Sequence, residues 1–203
     1  MRELLMETVG TFFLVLAIGL TGDIYTIGII LTAVTYLGYN LSGSHFNPII
    51  SFALYLRKEI RLNTFLFYTL SQFTGAFLAF ALIYYFAGTV FYMDTPSGSD
   101  VYQQVVAEAL FAFLFTLVFI YLQLSPRQKH SYFNGIIIGI TFSGVIALVH
   151  QISGGYVHPF VFLGSAAVDL VKGGNSYELA HIFTIPSLTG ATIAAWIYSY
   201  LKD

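Results

Sequence analysis

Long apolar segments alternate with short polar segments along the whole chain. Six segments are long and apolar enough to cross a bilayer as helices, which takes roughly 17 to 25 residues each. They cover residues 4–20, 24–41, 62–87, 101–124, 133–150 and 179–201. The pattern therefore predicts an all-α membrane protein with six transmembrane helices.

Two further apolar segments, residues 48–56 and 159–171, are too short to cross a bilayer. They begin at Pro48 and Pro159, and proline is favoured in the first turn of a helix because the first N–H groups have no helical partner. Asn47 is a preferred N-cap residue, whereas His158 is not. The irregular backbone before each proline cannot face lipid, so it must line protein or a water-filled cavity. We therefore expect two re-entrant half-helices beside a cavity or pore.

The two halves of the chain resemble each other. Residues 7–16 read ETVGTFFLVL and residues 108–117 read EALFAFLFTL, and each segment opens a series of span, span, half-helix and span. Three spans per copy is an odd number, so the second copy must cross the membrane in the opposite direction. This predicts an inverted repeat within a single channel domain of residues 1–203, with a first copy at about 1–90 and a second at about 101–203.

Composition excludes several classes of protein. Hydrophobic residues make up 57% of the 203 and charged residues 9%, against roughly 25% charged in soluble domains. The chain has no cysteine, a formal net charge of −2 and eight basic residues, so we expect neither thiol ligands nor nucleic-acid binding. Clusters typical of catalytic or metal sites are also missing from the sequence. We expect the lipid bilayer as the partner, no cofactor, no metal and no enzymatic activity.

Basic residues are distributed unequally between the two predicted sides of the membrane. One side carries Arg2, Arg57, Lys58, Arg61, Arg127, Lys129 and Lys202. The other carries Lys172 together with Asp23, Asp94 and Asp100. Because positive charges stay on the cytoplasmic side, both termini are expected in the cytoplasm, and the cell membrane is the expected location.

The first proline segment resembles a known signature. Residues 42–49, SGSHFNPI, are similar to the first signature of the major intrinsic proteins, the aquaporin and glycerol-facilitator family, which usually reads small-Gly-small-His-x-Asn-Pro-Ala. The resemblance implies tilted helices around a pore, half-helices that meet at its centre, and a homotetramer. It also implies a passive channel for water and/or small uncharged solutes, such as glycerol, urea, ammonia or hydrogen peroxide.

The second signature departs from this family. Members usually have Asn-Pro-Ala-Arg, whereas this chain has His158-Pro159-Phe160-Val161. By the resemblance, the pore-centre residues are Asn47, Pro48, Ile49, His158, Pro159 and Phe160. Neutral histidine offers one donor and one acceptor where asparagine offers an amide, so the hydrogen bonding at the centre must differ. His158 either lines the pore or packs behind the half-helix against a carbonyl.

The family arginine that restricts cations at the outer constriction corresponds to Val161. By the same comparison, the constriction consists of Ile27, Ile146, Gly155 and Val161, none of which has a side-chain donor. Pore selectivity depends on diameter, on lining donors and acceptors and on electrostatic barriers. An apolar constriction without arginine favours larger or less polar neutral solutes.

Three further ionisable residues also have family counterparts. Glu7 and Glu108 are expected to support the re-entrant loops by accepting their N–H groups, since buried charges in membranes have interior partners. His45 either lines the inner half of the pore or braces its loop.

Two alternatives to a passive channel stay open. Bulky Phe160 and Tyr156 could close the pore, which would leave a non-conducting structural or junction protein with the same fold. Proton-coupled transport through His158 is less favoured, because the outer half of the path has no second titratable group.

Overall fold

The computed structural model describes residues 1–93, 95–128 and 131–201, and all the regular structure in these residues is helical. The helices are α1 (Arg2–Thr21), α2 (Ile24–Gly38), α3 (Pro48–Leu56), α4 (Leu62–Ala87), α5 (Val101–Leu124), α6 (Asn134–Ser153), α7 (Pro159–Val171) and α8 (Ala180–Leu201). A short 3₁₀ helix, Ser176–Leu179, precedes α8. Three charged residues used to predict the orientation, Asp94, Lys129 and Lys202, lie outside the described residues.

Five helical segments are long and apolar enough to cross a membrane: Arg2–Thr21, Leu62–Ala87, Val101–Leu124, Asn134–Ser153 and Ser176–Leu201. Their ends agree with the predicted spans to within about three residues, the usual uncertainty of helix boundaries.

The second predicted span, residues 24–41, is shorter in the structure. Helix α2 has 15 residues and ends at Gly38, where the N–H groups of Leu41 and Ser42 both donate to the Gly38 carbonyl at 2.9 Å. Gly38 has no side chain to clash with Phe46, whose ring lies beside it. The chain therefore leaves the helix early because it turns inward toward the first half-helix.

Aspartate side chains cap the starts of two helices, α2 and α5. Asp23 accepts hydrogen bonds from the Thr26 hydroxyl at 2.6 Å and the Thr26 N–H at 2.7 Å, which lower the pKa of the Asp23 carboxyl below its usual range. Asp100 and Gln103 form a reciprocal capping box at the start of α5. Such caps satisfy N–H groups that have no partner inside the helix.

The first and last helices of each repeat pack closely through glycine. A Cβ atom at Gly75 of α4 would collide with the Thr8 carbonyl of α1. A Cβ atom at Gly190 of α8 would collide with the Ala109 carbonyl of α5 in the same way. The same backbone approach thus occurs once in each repeat, as small residues allow in membrane helices.

Helices α2 and α6 pack on each other through equivalent surfaces. Gly28 faces Ser143 and the Gly139 carbonyl, and Gly139 faces Thr32 and the Gly28 carbonyl. The Ser143 hydroxyl donates to the Ile24 carbonyl at 2.8 Å. This reciprocal contact joins the second helices of the two repeats.

Each half-helix packs against the last helix of the opposite repeat, α3 on α8 and α7 on α4, and α3 also contacts α7. The two repeats are therefore interlocked around the half-helices. The predicted class, an all-α membrane protein with two half-helices in an inverted repeat, is confirmed.

A hydrogen-bonded connection holds the far end of α7. Asp169 accepts from the Tyr92 hydroxyl at 2.8 Å and from the Ser176 N–H at 3.0 Å. The bond to this carboxylate raises the pKa of the Tyr92 hydroxyl, because loss of its proton would break the bond. The segment between the two repeats is thereby tied to the second half-helix.

Candidate functional site

The two half-helices begin at the same place inside the molecule. Pro48 and Pro159 occupy the first helical positions of α3 and α7, and Asn47 and His158 are their N-cap residues. Asn47 is 2% exposed and His158 is 3% exposed. The first turns also hold Ile49 and Phe160, both buried, so all six predicted pore-centre residues lie in the interior.

Reciprocal hydrogen bonds join the two N-cap residues at the point where the first turns of α3 and α7 meet, which we call the junction. The Asn47 amide nitrogen donates to the Val157 carbonyl at 3.0 Å. Nε2 of His158 lies 2.8 Å from the Phe46 carbonyl, which also accepts from the Thr11 hydroxyl at 3.3 Å. Each N-cap side chain thus bonds the residue that precedes the other one.

The carbonyls of Phe46 and Val157 are presented by strained backbone. Phe46 has φ of 48° and Val157 has φ of 53°, in the left-handed region that side chains disfavour. Two contacts hold Phe46 there: its N–H donates to Glu7 at 2.8 Å, and its ring packs directly on Gly10, where a Cβ atom would clash. Both carbonyls that cross the junction thus come from left-handed positions, a conformation that Ser44 and Lys58 also adopt.

Glu7 is fully buried in α1 and accepts hydrogen bonds from the first re-entrant loop. Its carboxylate accepts from the Ser42 hydroxyl at 2.6 Å, the His45 N–H at 3.0 Å and the Phe46 N–H at 2.8 Å. The side-chain amide of Gln72 donates a fourth bond at 2.7 Å. An acceptor-only group surrounded by donors is well satisfied even inside a membrane protein.

Glu108 holds the second loop in the equivalent way. It accepts from the hydroxyl of Ser153 at 2.8 Å and from that of Ser187 on α8 at 3.0 Å. Ser153 in turn accepts the Gly155 N–H at 2.9 Å, as Ser42 accepts the Ser44 N–H at 3.1 Å in the first loop. Both loops are therefore tied to the first helix of their own repeat.

Sequence reasoning missed three polar residues of this site: Gln72, Ser51 and Ser187. Each is fully buried within an apolar helix. Gln72 and Ser187 were detectable in principle, because each lies three residues before a glycine at a close helix crossing, Gly75 or Gly190. Polar residues on the interior side of a membrane helix are uncommon and mark internal hydrogen bonds.

His45 is 5% exposed and forms part of the same network as Glu7. Its Nδ1 lies 2.9 Å from the Ser51 hydroxyl, which also accepts from the Gln72 amide at 2.9 Å. The Ser51 hydroxyl has one proton and a second lone pair left, so it can pair with either tautomer of His45. The ring packs against Tyr68, with centroids 5.0 Å apart.

Three of the four predicted constriction residues are apolar side chains in the core. Ile27 and Val161 are fully buried and Ile146 is 1% exposed. Ile27 and Ile146 lie within a turn of the bond between Ser143 and Ile24, so both belong to the same end of the α2–α6 contact. Val161 lies in the first turn of α7.

Gly155 differs from the other three. A Cβ atom there would point at the Glu108 carboxylate and would lie 3.0 Å from the Phe183 ring. Only the main chain of Gly155 is therefore available to a pore, and glycine is needed because the carboxylate approaches so closely.

Phe160 and Tyr156, the two residues that could close a pore, pack against neighbouring rings. The Phe160 ring meets Phe73 of α4 edge-on, with centroids 5.6 Å apart. The Tyr156 ring lies 4.9 Å from that of His150 of α6.

Fold and site together define a class of membrane protein in which an inverted repeat brings two half-helices together, N-terminus to N-terminus, inside a helical bundle. The family model described as Major intrinsic protein matches residues 1–198. The chain belongs to this family.

Relatives from an archaeon and a bacterium match most of the chain. The probable aquaporin AqpM of Archaeoglobus fulgidus is 30% identical over 196 residues, covering 91% of this chain and 79% of the relative. Glycerol uptake facilitator protein-like 6 of Lactiplantibacillus plantarum is 28% identical over 211 residues, covering 97% and 96%. The fold is similar to that of the aquaglyceroporin from Plasmodium falciparum, with a TM-score of 0.81, 19% identity and coverage of 97% and 94%.

Proposed function

We propose that this integral membrane protein is a passive channel for water and small uncharged solutes. In this proposal the path passes the outer constriction of Ile27, Ile146, Gly155 and Val161, then the junction at Asn47 and His158, and then His45. The observation that carries the proposal is the pair of reciprocal hydrogen bonds that joins the half-helices. The names of the relatives, aquaporin and glycerol uptake facilitator, support the same class of solute.

The half-helix ends supply the barrier to cations in this proposal. Each helix N-terminus carries roughly half a positive charge, and both are directed at the same point. Val161 adds no charge at the outer constriction, so neutral solutes meet an apolar surface there. Small uncharged solutes cross such a path more easily than ions.

Two bulky residues, Phe160 and Tyr156, bear on the non-conducting alternative. Phe160 rests against Phe73 and Tyr156 against His150, so both rings are occupied by contacts with the surrounding helices. The Phe160 ring also lies 6.5 Å from the ring of His158 at the junction. We place the non-conducting alternative second, and passive conduction above any catalytic role, because the relatives are named as an aquaporin and a glycerol uptake facilitator.

The cytoplasmic termini, the cell membrane location and the homotetramer are further parts of the proposal. The distribution of basic residues supports the orientation, and family membership supports the tetramer. Protease accessibility of tags at either terminus in oriented membrane vesicles would test the orientation. The mass of the detergent-solubilised protein by light scattering would test the tetramer.

Stopped-flow light scattering on proteoliposomes tests the channel function. Vesicles shrink in an impermeant osmolyte, which reports water flux, and then re-swell in urea or glycerol, which reports solute flux. We expect both rates to exceed those of protein-free vesicles. Rates equal to those of protein-free vesicles in all three solutions would contradict the proposal and favour the non-conducting alternative.

A further inference from the structure

Unlike Asn47, which caps α3, the His158 side chain does not cap α7. The Asn47 side-chain oxygen accepts the Ile49 N–H at 3.1 Å and so caps α3. Helix α7 has no side-chain cap, because the His158 ring turns away to the Phe46 carbonyl. The first backbone N–H groups of α7 therefore lack the side-chain acceptor that Asn47 provides in α3.

The partner of Nε2 fixes the form of the His158 ring. A carbonyl oxygen can only accept a hydrogen bond, so Nε2 must carry the proton in its 2.8 Å bond to Phe46. In neutral histidine the other nitrogen then has a free lone pair. Nδ1 of His158 is consequently a hydrogen-bond acceptor.

This acceptor is buried and unused. Nδ1 of His158 has no hydrogen-bond partner among the described residues, although the residue is only 3% exposed. It is one of nine buried side-chain nitrogen and oxygen atoms without a partner in the described residues, and a bound water or ligand is one explanation for such an atom. The uncapped first turn of α7 begins at the next residue, Pro159, and its first N–H group belongs to Phe160.

The junction is thus chemically asymmetric. Asn47 uses one amide N–H for the Val157 carbonyl and retains a second donor. His158 retains an acceptor. Two asparagines would instead offer amide donors from both sides, with both side-chain oxygens engaged as helix caps.

We propose that Nδ1 of His158 accepts a hydrogen bond from the permeating solute and so determines specificity at the pore centre. The site suits small neutral molecules with N–H or O–H donors, such as water, ammonia and urea, and it favours urea over water because urea presents four N–H groups to the one acceptor. This role rests on the proposed channel function. His158 selects among neutral solutes, while the half-helix ends act against cations.

The state of the ring can be measured without any transport. Nitrogen NMR of ¹⁵N-histidine-labelled protein in proteoliposomes distinguishes protonated from unprotonated ring nitrogens, and His158→Asn identifies the signals. We expect a neutral ring with the proton on Nε2 and an Nδ1 signal that shifts when urea is added. A proton on Nδ1, or an Nδ1 signal insensitive to urea, would overturn the proposal.

Flux measurements test the specificity. In His158→Asn the new oxygen can cap α7 and the amide can donate to Phe46, so the centre loses its acceptor while the junction is retained. We expect the ratio of urea to water permeability to fall about 2- to 10-fold, the effect of one hydrogen bond of ordinary net strength. His181→Asn is the matched control, because His181 is exposed at the start of α8 and should leave the ratio unchanged.

The two proposals fail in different ways. An unchanged or higher ratio in a conducting His158→Asn channel would overturn the role of His158 alone. Wild-type vesicles that pass neither water nor urea would overturn the proposed function, and with it the specificity role.

Discussion

Val161 is the residue at which this channel differs most in charge from the family pattern. Its side chain is apolar and fully buried, in the first turn of the half-helix whose N-terminus points to the junction. In the proposed function, the constriction therefore excludes solutes by size and polarity and contributes no positive charge. A positively charged side chain at this position would bind water molecules and narrow the path for solutes.

The variant Val161→Arg should reduce solute flux. We expect urea and glycerol permeability to fall about tenfold, which corresponds to a barrier raised by ~1.4 kcal/mol. Val161→Met adds bulk without charge and is the control that separates the two effects. Unchanged urea re-swelling in Val161→Arg proteoliposomes would show that this residue does not line the path.

The sequence predicted which residues belong to the site better than it predicted where their side chains point. The two glutamates were found because ionisable residues are conspicuous in apolar spans, and His45 and both N-cap residues because they belong to the two polar segments around Pro48 and Pro159. The direction of a Cβ atom depends on backbone angles, so the glutamate beside Gly155 could not be predicted from the residues. The contact of His158 with the Phe46 carbonyl depends on how the two loops meet, so only coordinates reveal it.

Helix caps set the ends of the spans, and Asp23 is the clearest example. Its carboxylate accepts two bonds from Thr26, the hydroxyl bond being the larger cause of its lowered pKa. A group whose pKa is lowered by folding stabilises the folded state above its unfolded pKa. This contribution is lost as the pH falls through the lower folded value.

The stability of Asp23→Ala should therefore depend on pH relative to wild type. We expect a lower unfolding temperature than wild type at pH 7, and a difference that shrinks as the pH falls below the ordinary carboxyl range. Asp23→Asn retains a capping oxygen without a titratable group, so it should stay close to wild type at pH 7. Thermal unfolding in detergent at several pH values measures this, and a gap for Asp23→Ala that is constant with pH would contradict it.

Two equivalent helix crossings, α1 with α4 and α5 with α8, depend on glycine. At Gly75 and Gly190 an added methyl group would meet backbone of the neighbouring helix, which cannot move without displacing the helix. We expect Gly75→Ala and Gly190→Ala each to destabilise the protein by about 1–3 kcal/mol, as overpacking does. Gly144→Ala is the control, because nothing lies within 4 Å of the Cβ position there. Thermal unfolding temperatures equal to that of Gly144→Ala would refute the packing role.

Most helix boundaries were predictable because bilayer thickness demands long apolar segments and proline marks the starts of the half-helices. Helix α2 was the exception. Its apolar pattern continues to residue 41, but the helix ends at Gly38 because the following residues must reach the buried first signature. That requirement is tertiary, so no local pattern reveals it.

In the molecule as a whole, the inverted repeat explains why so few polar groups are sufficient to hold both re-entrant loops and both half-helices in place. Each repeat supplies one glutamate that holds one loop, one half-helix, and one carbonyl that meets the other repeat. The half-helices also pack on the last helix of the opposite repeat. The junction therefore exists only when both repeats are folded together.

The central claim is that this assembly opens a path for water. The most direct test is the rate at which proteoliposomes shrink in an impermeant osmolyte, measured at several temperatures against protein-free vesicles. Our account predicts faster shrinkage with a weaker temperature dependence than bare lipid, since water in a pore does not have to dissolve in the hydrocarbon. Shrinkage at the rate and with the temperature dependence of protein-free vesicles would contradict it.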